Sequence, residues 1–320
     1  MHNSKKPLVS IVIPTFNNRN YVVDAVKSAL EQTYENVEIV VVDDGSTDET
    51  KDVLKSYIEG DKIRYIYQEN KGLAGARNTG INVAAGEYVA LLDADDLFKP
   101  EKIEGQIAHL MECKDCDFSF CDVLMFKDGQ PNKFFKYKYK YHSGNVLKYI
   151  IRENFINPST LVFNKERIAN KFSLFDDSLR RAEDIEFYFR VSIEGARFCF
   201  LDKPLFISRV REGGNLQANQ AFVQETTLKV LRGIEDKLTP EEKELYKFDE
   251  VIDIRKFKLA LAYLAGGERA LGRKTVMEIR GRYLSKCIVV LVSLVPRSIA
   301  RFLVAKMTEL RRIVLFKRNI

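Results

Sequence analysis

Three carboxylates stand together where an apolar run ends: Val89-Ala90-Leu91-Leu92 leads directly into Asp93-Ala94-Asp95-Asp96. A run that short and that apolar reads as a strand buried on both faces. Carboxylates at this spacing repel one another, and a bound cation offsets the repulsion. Mg²⁺ and Mn²⁺ prefer oxygen ligands, and Mg²⁺ commonly takes one or two carboxylates together with phosphate oxygens. In open α/β sheets, ligands bind beyond the carboxyl ends of the strands, where these acids fall. Taken alone, the stretch reads equally as a solvated acidic turn. Two more acidic groups follow apolar runs or precede them. Asp43-Asp44-Gly45-Ser46-Thr47-Asp48 closes the run at 37–42, and Glu183-Asp184 stands before Ile185, Phe187, Tyr188, Phe189 and Val191. In isolation that second pair is explained by helix capping and compensation of the helix dipole.

The elements that must carry these groups alternate in period. Residues 8–13 read as a buried strand ended by Pro14-Thr15, and residues 21–32 carry apolar side chains at helical spacing. Strand 37–42, a helix at 48–57, a weaker strand at 63–67, a glycine-containing helix at 72–84 and the strand ending at Asp93 complete a β-α-β-α-β-α-β order. That order predicts an α/β fold with a Rossmann-like, mostly parallel sheet flanked by helices. It brings Pro14-Thr15, Asp43-Asp44 and Asp93-Asp95 to one rim, a convergence that weighs more than any single motif. Further on, a helix is expected at 99–111 and a strand at 118–126. The strict Lys/Tyr alternation at 136–141 reads as a lysine-protected edge strand, or as an acceptor surface of aromatic rings and cations. Two short strands, 198–201 and 205–207, precede a flexible loop at 208–215. From Gln217 the chain turns helical. Thr239-Pro240-Glu241-Glu242 is a capping box that opens a helix running to about Ala265.

Charge and cysteine content narrow the function classes. Residues 281–320 hold nine basic residues and one acidic, net +8, so the other 280 residues carry 42 basic and 44 acidic, net −2. The body therefore lacks the basic excess of a nucleic-acid-binding protein. The tail joins a 13-residue apolar stretch at 283–295, too short to span a bilayer, to a basic, apolar-patterned segment at 297–318. A basic amphipathic pair lying in a membrane interface is the expected arrangement, against packing on the body or an oligomer contact. Five cysteines and a polar N-terminus without an apolar signal core predict reduced thiols and a cytoplasmic protein at the inner face of the cell membrane. Cys113-Lys114-Asp115-Cys116 has zinc-ligand spacing, with Cys121 five residues on, but no convincing fourth ligand accompanies it.

Read together, residues 9–17 (VSIVIPTFN), 41–48 (VVDDGSTD), 70–78 (NKGLAGARN) and 91–96 (LLDADD) resemble, in order and spacing, the family 2 glycosyltransferases of the GT-A fold. Glu183-Asp184 resembles the acidic pair of that family before its acceptor-site helix. The resemblance covers about residues 7–215, the C-terminal part carries no comparable motif, and with the patterns above the chain reads as three parts. These are a catalytic, nucleotide-sugar-binding domain at 1–215, a helical extension at 216–280 and the membrane-associating tail at 281–320. The resemblance implies inverting transfer from a nucleotide sugar, most often UDP-linked, to a hydroxyl of a glycan or lipid-linked saccharide, as in bacterial cell-surface polysaccharide synthesis. By resemblance Asp95, with Asp93, holds a divalent cation (Mn²⁺ or Mg²⁺). Pro14, Thr15, Asn17, Asp44, Arg77, Asp93, Ala94 and Arg211 belong to the donor site. Asp44 would accept the base N–H, and Arg77 would support the base or phosphates. Asp184 is the implied general base, with Glu183 helping to bind donor or acceptor. One departure stands out: many relatives carry Arg-x-His after the last strands, and here the stretch reads Arg209-Val210-Arg211. A neutral metal ligand is replaced by a cation that can meet diphosphate directly.

Three other readings compete. A phosphatase of the haloacid dehalogenase type also places Asp-x-Asp after a buried strand, but Asp96-Leu97 follows here and the Asp43-Asp44 turn would go unexplained. A dinucleotide dehydrogenase is disfavoured because Pro14-Thr15-Phe16, not Gly-x-Gly-x-x-Gly, follows the first strand. A glycosyltransferase fold reduced to a carbohydrate- or lipid-binding module is opposed by intact acids at all three positions.

Overall fold

The computed structural model describes residues 6–136, 139–211, 220–280, 290, 292–295, 298–300, 302–304 and 306. The chain divides into two compact units, Met1–Glu212 and Gly213–Ile320.

The first unit opens with β1 (Val9–Thr15), α1 (Val22–Leu30), β2 (Val37–Asp43), α2 (Thr50–Glu59), β3 (Arg64–Tyr67), α3 (Gly72–Val83) and β4 (Tyr88–Leu91). Every residue of β1 is buried, as expected for an apolar strand covered on both faces. β3, β2, β1 and β4 lie side by side and parallel, with Thr15 opposite Asp43 and Val12 opposite Leu91. The glycines of α3 are not helix breakers here. A Cβ on Gly80 would collide with Val12 Cγ1 and come 3.2 Å from Val42 Cγ2. The bare position lets α3 lie directly on β1 and β2.

The second half of this unit adds β5 (Leu97–Phe98), α4 (Lys102–Glu112), β6 (Phe118–Lys127), β7 (Phe134–Phe135), α5 (Leu147–Ile150), β8 (Val162–Asn164), α6 (Lys165–Lys171), α7 (Glu183–Ile193) and β9 (Phe198–Val210). The sheet continues β4-β8-β6-β9-β5, with β7 paired to β6. Here the pairing is mixed: β8 runs antiparallel to β4 and β6, while β6 and β9 are parallel. One apolar core joins β1, β2, α1 and α4 through Ile11, Ile13, Val26, Val41, Ile103 and Phe206.

Several expectations for this unit are corrected. The two short strands at 198–201 and 205–207 and the start of the flexible loop are a single strand, β9. It passes Asp202-Lys203 out in a bulge between the partners Leu201 and Pro204, then runs on through Ser208, Arg209 and Val210. Proline is accommodated at the bulge because its missing N–H costs no ladder bond there. Residues 212–215 of the expected loop lie outside the described residues. In the 136–141 stretch, Tyr137 and Lys138 are also outside them, and none of the rest is in a strand. Lys136 and Tyr141 instead converge on buried Asp122, and the Tyr141 ring stacks on Phe200 at 4.2 Å. The expectation of reduced thiols fails at one pair: Cys116 and Cys199 form a disulfide, with Cα atoms 5.9 Å apart. Cys113 and Cys121 are free, and the zinc spacing of Cys113 and Cys116 is thereby broken.

The second unit is helical: α8 (Gln220–Glu235), α9 (Pro240–Tyr246), α10 (Phe248–Gly266) and α11 (Arg269–Met277). The capping box forms at Thr239 and Glu242. The helix it opens is not continuous to Ala265. Lys247, at φ 49°, breaks it into α9 and α10, and Phe248 is buried immediately after. No glycine or proline marks that break in the sequence. Most of the 281–320 tail lies outside the described residues. Of the described positions, Val292 and Ala300 are buried with Phe257, Leu261 and Leu264 of α10, while Leu294, Ile299 and Phe302 are exposed. Among the described residues no helix is long and apolar enough to cross a membrane.

Candidate active site

The parallel register of β1, β2 and β4 places their carboxyl ends on one rim. Pro14 and Thr15 end β1 as buried residues, and the Thr15 hydroxyl has no hydrogen-bond partner. Buried hydroxyls seldom go unpaired, so this one is available to a ligand. Asn17 follows with φ 50°, a conformation asparagine tolerates. Its Oδ1 accepts from the Thr47 N–H at 2.8 Å and its own N–H donates to Ser46 Oγ at 2.9 Å. Asn17 therefore clamps the turn after β1 to the turn after β2.

The two acids of that second turn are held by protein donors. Asp43 accepts from Ser46 N–H and Tyr65 Oη. Asp44 Oδ1 accepts from Gln68 Nε2 at 2.6 Å and Lys71 N–H at 2.8 Å, and Oδ2 accepts from Gly72 N–H at 2.8 Å. The 70–78 motif is thus tied to the 41–48 motif through one carboxylate, which keeps a single open acceptor site on Oδ2.

At the exit of β4 the three strand-end acids separate into distinct environments. Asp96 is buried; its Oδ1 accepts from Arg209 N–H at 2.8 Å, and burial followed by the charges of Asp95 and Asp93 pushes its carboxyl well above the usual range. It anchors β9 rather than facing the rim. Ala94 is buried between its neighbours. Asp93 is fixed by its N–H to Ser159 Oγ at 2.9 Å, and its Oδ1 meets Arg77 Nη2 at 2.8 Å. Asp95 is partly exposed and pairs through Oδ2 with Arg211 Nη2 at 2.6 Å. Burial raises its pKa, Arg211 works against that rise, and Asp93 adds to it.

Arg77, expected to support the base or phosphates, is only 1% exposed and is engaged by protein carboxylates. The guanidinium forks between Asp93 at 2.8 Å and Glu183 Oε1 at 3.0 Å, with Phe175 beneath it at 5.5 Å. Through this fork the acid pair of α7 lies beside the strand-end acids, across 106 residues of chain. Glu183 is buried and belongs to the fork, whereas Asp184 accepts from Asn154 Nδ2 at 3.1 Å. Burial and the neighbouring Glu183 charge raise the Asp184 carboxyl to about 6, a rise that Arg77 restrains. That value suits a group taking up a proton near neutral pH. Ala182, just before α7, stands at φ 59°, a conformation that costs an alanine on the order of 1 kcal/mol and here turns the acid pair into the site.

Several participants had no signal in the sequence strong enough to name them. Arg209 donates from Nε to the Asp95 carbonyl at 3.0 Å and pairs with Asp24 and Asp128, which pins the end of β9 against the Asp95 turn. Its motif was visible, but only Arg211 was assigned from it. The buried Tyr188 hydroxyl has no partner, and burial, followed by the charge of Asp184, pushes its pKa up. Its place in an apolar helical face gave no hint of this.

Among the described residues, no three His, Cys, Asp or Glu side chains converge as a ready-made metal cage. Asp93 and Asp95 each engage one oxygen with arginine and retain the other. The pair fits a divalent cation that brings phosphate oxygens with it, since Mg²⁺ and Mn²⁺ are commonly held this way beside a diphosphate.

The structure thus joins a parallel α/β half-sheet with acids at its strand ends to a second acid pair through one buried arginine. The chain belongs to glycosyl transferase family 2, whose model matches residues 10–179. It is similar to the putative teichuronic acid biosynthesis glycosyltransferase TuaG of Bacillus subtilis, 40% identical over 168 residues, which are 51% of this chain and 64% of TuaG. The chain thus spans less than two thirds of that relative. In fold it is similar to Staphylococcus aureus TarS 1–349 in complex with UDP-GlcNAc, at TM-score 0.58 and 20% identity, covering 86% of this chain and 91% of that one. It is likewise similar to the mannosyltransferase PcManGT from Pyrobaculum calidifontis in complex with GDP-Man and Mn²⁺, at TM-score 0.59 and 18% identity, covering 94% and 85%.

Proposed function

We propose that the chain transfers a sugar, with inversion, from a UDP-linked donor to a hydroxyl of a glycan or lipid-linked saccharide in the synthesis of a bacterial cell-surface polysaccharide. The observation that carries this reading is the Arg77 fork, which ties Glu183 to Asp93 and so holds the next residue, Asp184, whose carboxyl is raised to about 6, on the side of the strand-end acids. The nucleotide sugars bound to TarS and PcManGT support a nucleotide-sugar donor, the UDP-GlcNAc of TarS supports the UDP class, and the name of TuaG supports the product class.

In this reading the Thr15 hydroxyl and the open acceptor site of Asp44 meet the nucleoside, and Arg211 meets the diphosphate. Asp184 takes the proton of the acceptor hydroxyl as that oxygen attacks the anomeric carbon from the face opposite the leaving group. Glu183, fixed by Arg77, orients the start of α7. A divalent cation held by Asp93 and Asp95 would supply stabilisation of the charge that collects on the departing diphosphate. Exposed Leu294, Ile299 and Phe302 on a basic segment support peripheral attachment to an anionic membrane surface, which fits a lipid-linked acceptor. Vesicle flotation tests that attachment: Ile299→Asp with Phe302→Asp should release the protein, and unchanged flotation would locate any membrane contact elsewhere.

The first test is thermal unfolding with UDP, GDP, TDP or CDP, each with and without Mn²⁺. A ligand at about 100 times its dissociation constant adds about 2.7 kcal/mol. A rise with UDP supports the reading, a rise with another nucleotide alone replaces the donor, and no rise with any of them refutes it.

A further inference from the structure

The Arg211 guanidinium is held at several points. Nη2 pairs with Asp95 Oδ2 at 2.6 Å and donates to Asn18 Oδ1 at 2.8 Å, and the guanidinium carbon lies 4.2 Å from the centroid of the Tyr21 ring. Its Nε is buried and has no hydrogen-bond partner. Arg209, two residues earlier, is fixed by Asp24, Asp128 and the Asp95 carbonyl, so the backbone delivers Arg211 to this position rather than leaving it to a free side chain. The oxygen it covers belongs to the residue best placed to ligate a cation. On the other side Arg77 covers one oxygen of Asp93. Two fixed positive charges thus border the pair of carboxylates. A free divalent cation arriving there meets one open oxygen on each acid and repulsion from both guanidinium groups. A nucleoside diphosphate changes the balance, because its oxygens give a guanidinium a bidentate partner and give a metal further ligands.

We propose that Arg211 is a resident cation at Asp95 that makes divalent-metal binding conditional on nucleotide: the guanidinium holds Asp95 in the free protein and is transferred to the diphosphate when donor arrives, which frees the carboxylate for the metal. This rests on the nucleotide-sugar reading above. It accounts for the unpartnered Nε, which has a donor ready for a phosphate oxygen.

The test uses the full chain and Mn²⁺ alone, read by electron paramagnetic resonance as free against bound ion, so it needs neither activity nor acceptor. Without nucleotide, Arg211→Met and Arg211→His should each bind Mn²⁺ about two- to fivefold more tightly than the unaltered protein, the scale expected for one partly exposed charge pair. Adding Asp95→Asn to either should remove the gain. The gain in both arginine variants, lost with Asp95→Asn, supports the proposal. Equal Mn²⁺ affinity in the unaltered protein and both variants overturns it, and so does a gain that survives Asp95→Asn. Two substitutions of different size guard against one that disturbs folding, which circular dichroism checks. The nucleotide reading fails separately, through the thermal panel, because the Mn²⁺ comparison contains no nucleotide.

Discussion

Replacing Arg77 by methionine tests the junction on which the site is built. The guanidinium is almost fully buried and serves two carboxylates, Asp93 at 2.8 Å and Glu183 at 3.0 Å, of which Glu183 is itself buried. Methionine fills much of the same volume, so packing over Phe175 is largely preserved and the loss is electrostatic. Removing one partner of a buried ion pair costs about 3–5 kcal/mol, because the remaining charge is left without compensation. Against a domain stability of about 5–15 kcal/mol, that is a shift of the urea midpoint too large to miss. Arg77→Lys should cost less, about 1–2 kcal/mol, since a point charge cannot fork between two acids. Adding Glu183→Gln to Arg77→Met removes one of the stranded charges, so the double variant should be more stable than the sum of the single losses implies. Equilibrium urea unfolding of the four proteins gives the cycle. A loss below about 1 kcal/mol for Arg77→Met, with no coupling to Glu183, would refute the fork as a structural junction and leave Arg77 the support of base or phosphates that the family resemblance implies.

Two further outcomes are expected. With Asp184 raised to about 6, nucleotide release from the sugar nucleotide should fall about tenfold between pH 7 and pH 5 as the carboxylate takes up its proton, and a rate flat to pH 5 would remove Asp184 as base. Lys102 is fully buried with its ammonium over the Phe98 ring at 4.1 Å and no hydrogen-bond partner, and burial pushes it down to about 8 from 10.5. Below pH 8 the lysine is protonated in both folded and unfolded chains and the full penalty is present. Between pH 8 and 10.5 the unfolded chain binds the extra proton, so stability should rise with pH. Lys102→Met should add about 3 kcal/mol at neutral pH and flatten that rise, measured as urea midpoints at about pH 7.5 and 10; parallel pH dependence in the two proteins would exclude Lys102 as its source.

The strand-end rim was legible in the sequence because it depends on local signals. Short apolar runs specify buried strands, helical spacing between them specifies crossovers, and parallel crossovers bring the carboxyl ends of β1, β2 and β4 together. The capping box at Thr239 was legible for the same reason, since its bonds span only three residues. What sequence pattern could not supply were features set by contacts distant along the chain. The length of β9 follows from its pairing with β6 and from Asp96 capping Arg209, 113 residues away. Lys247 breaks the α9–α10 helix with a residue type that carries no turn preference, so burial of Phe248 overrode local propensity.

The site divides the same way. The sequence by itself determined which acids are present and that they follow strands or precede a helix, because those facts are local and periodic. Only the tertiary structure decided their separate environments. Asp96 is buried under β9, Asp95 faces Arg211, Asp44 is bound by the loop before α3, and Asp93 shares Arg77 with Glu183. A carboxylate's protonation and reach depend on burial and on the charges within a few ångströms, and in this chain those charges come from segments as far as 106 residues away along the chain for Arg77 with Glu183 and 185 for Arg209 with Asp24.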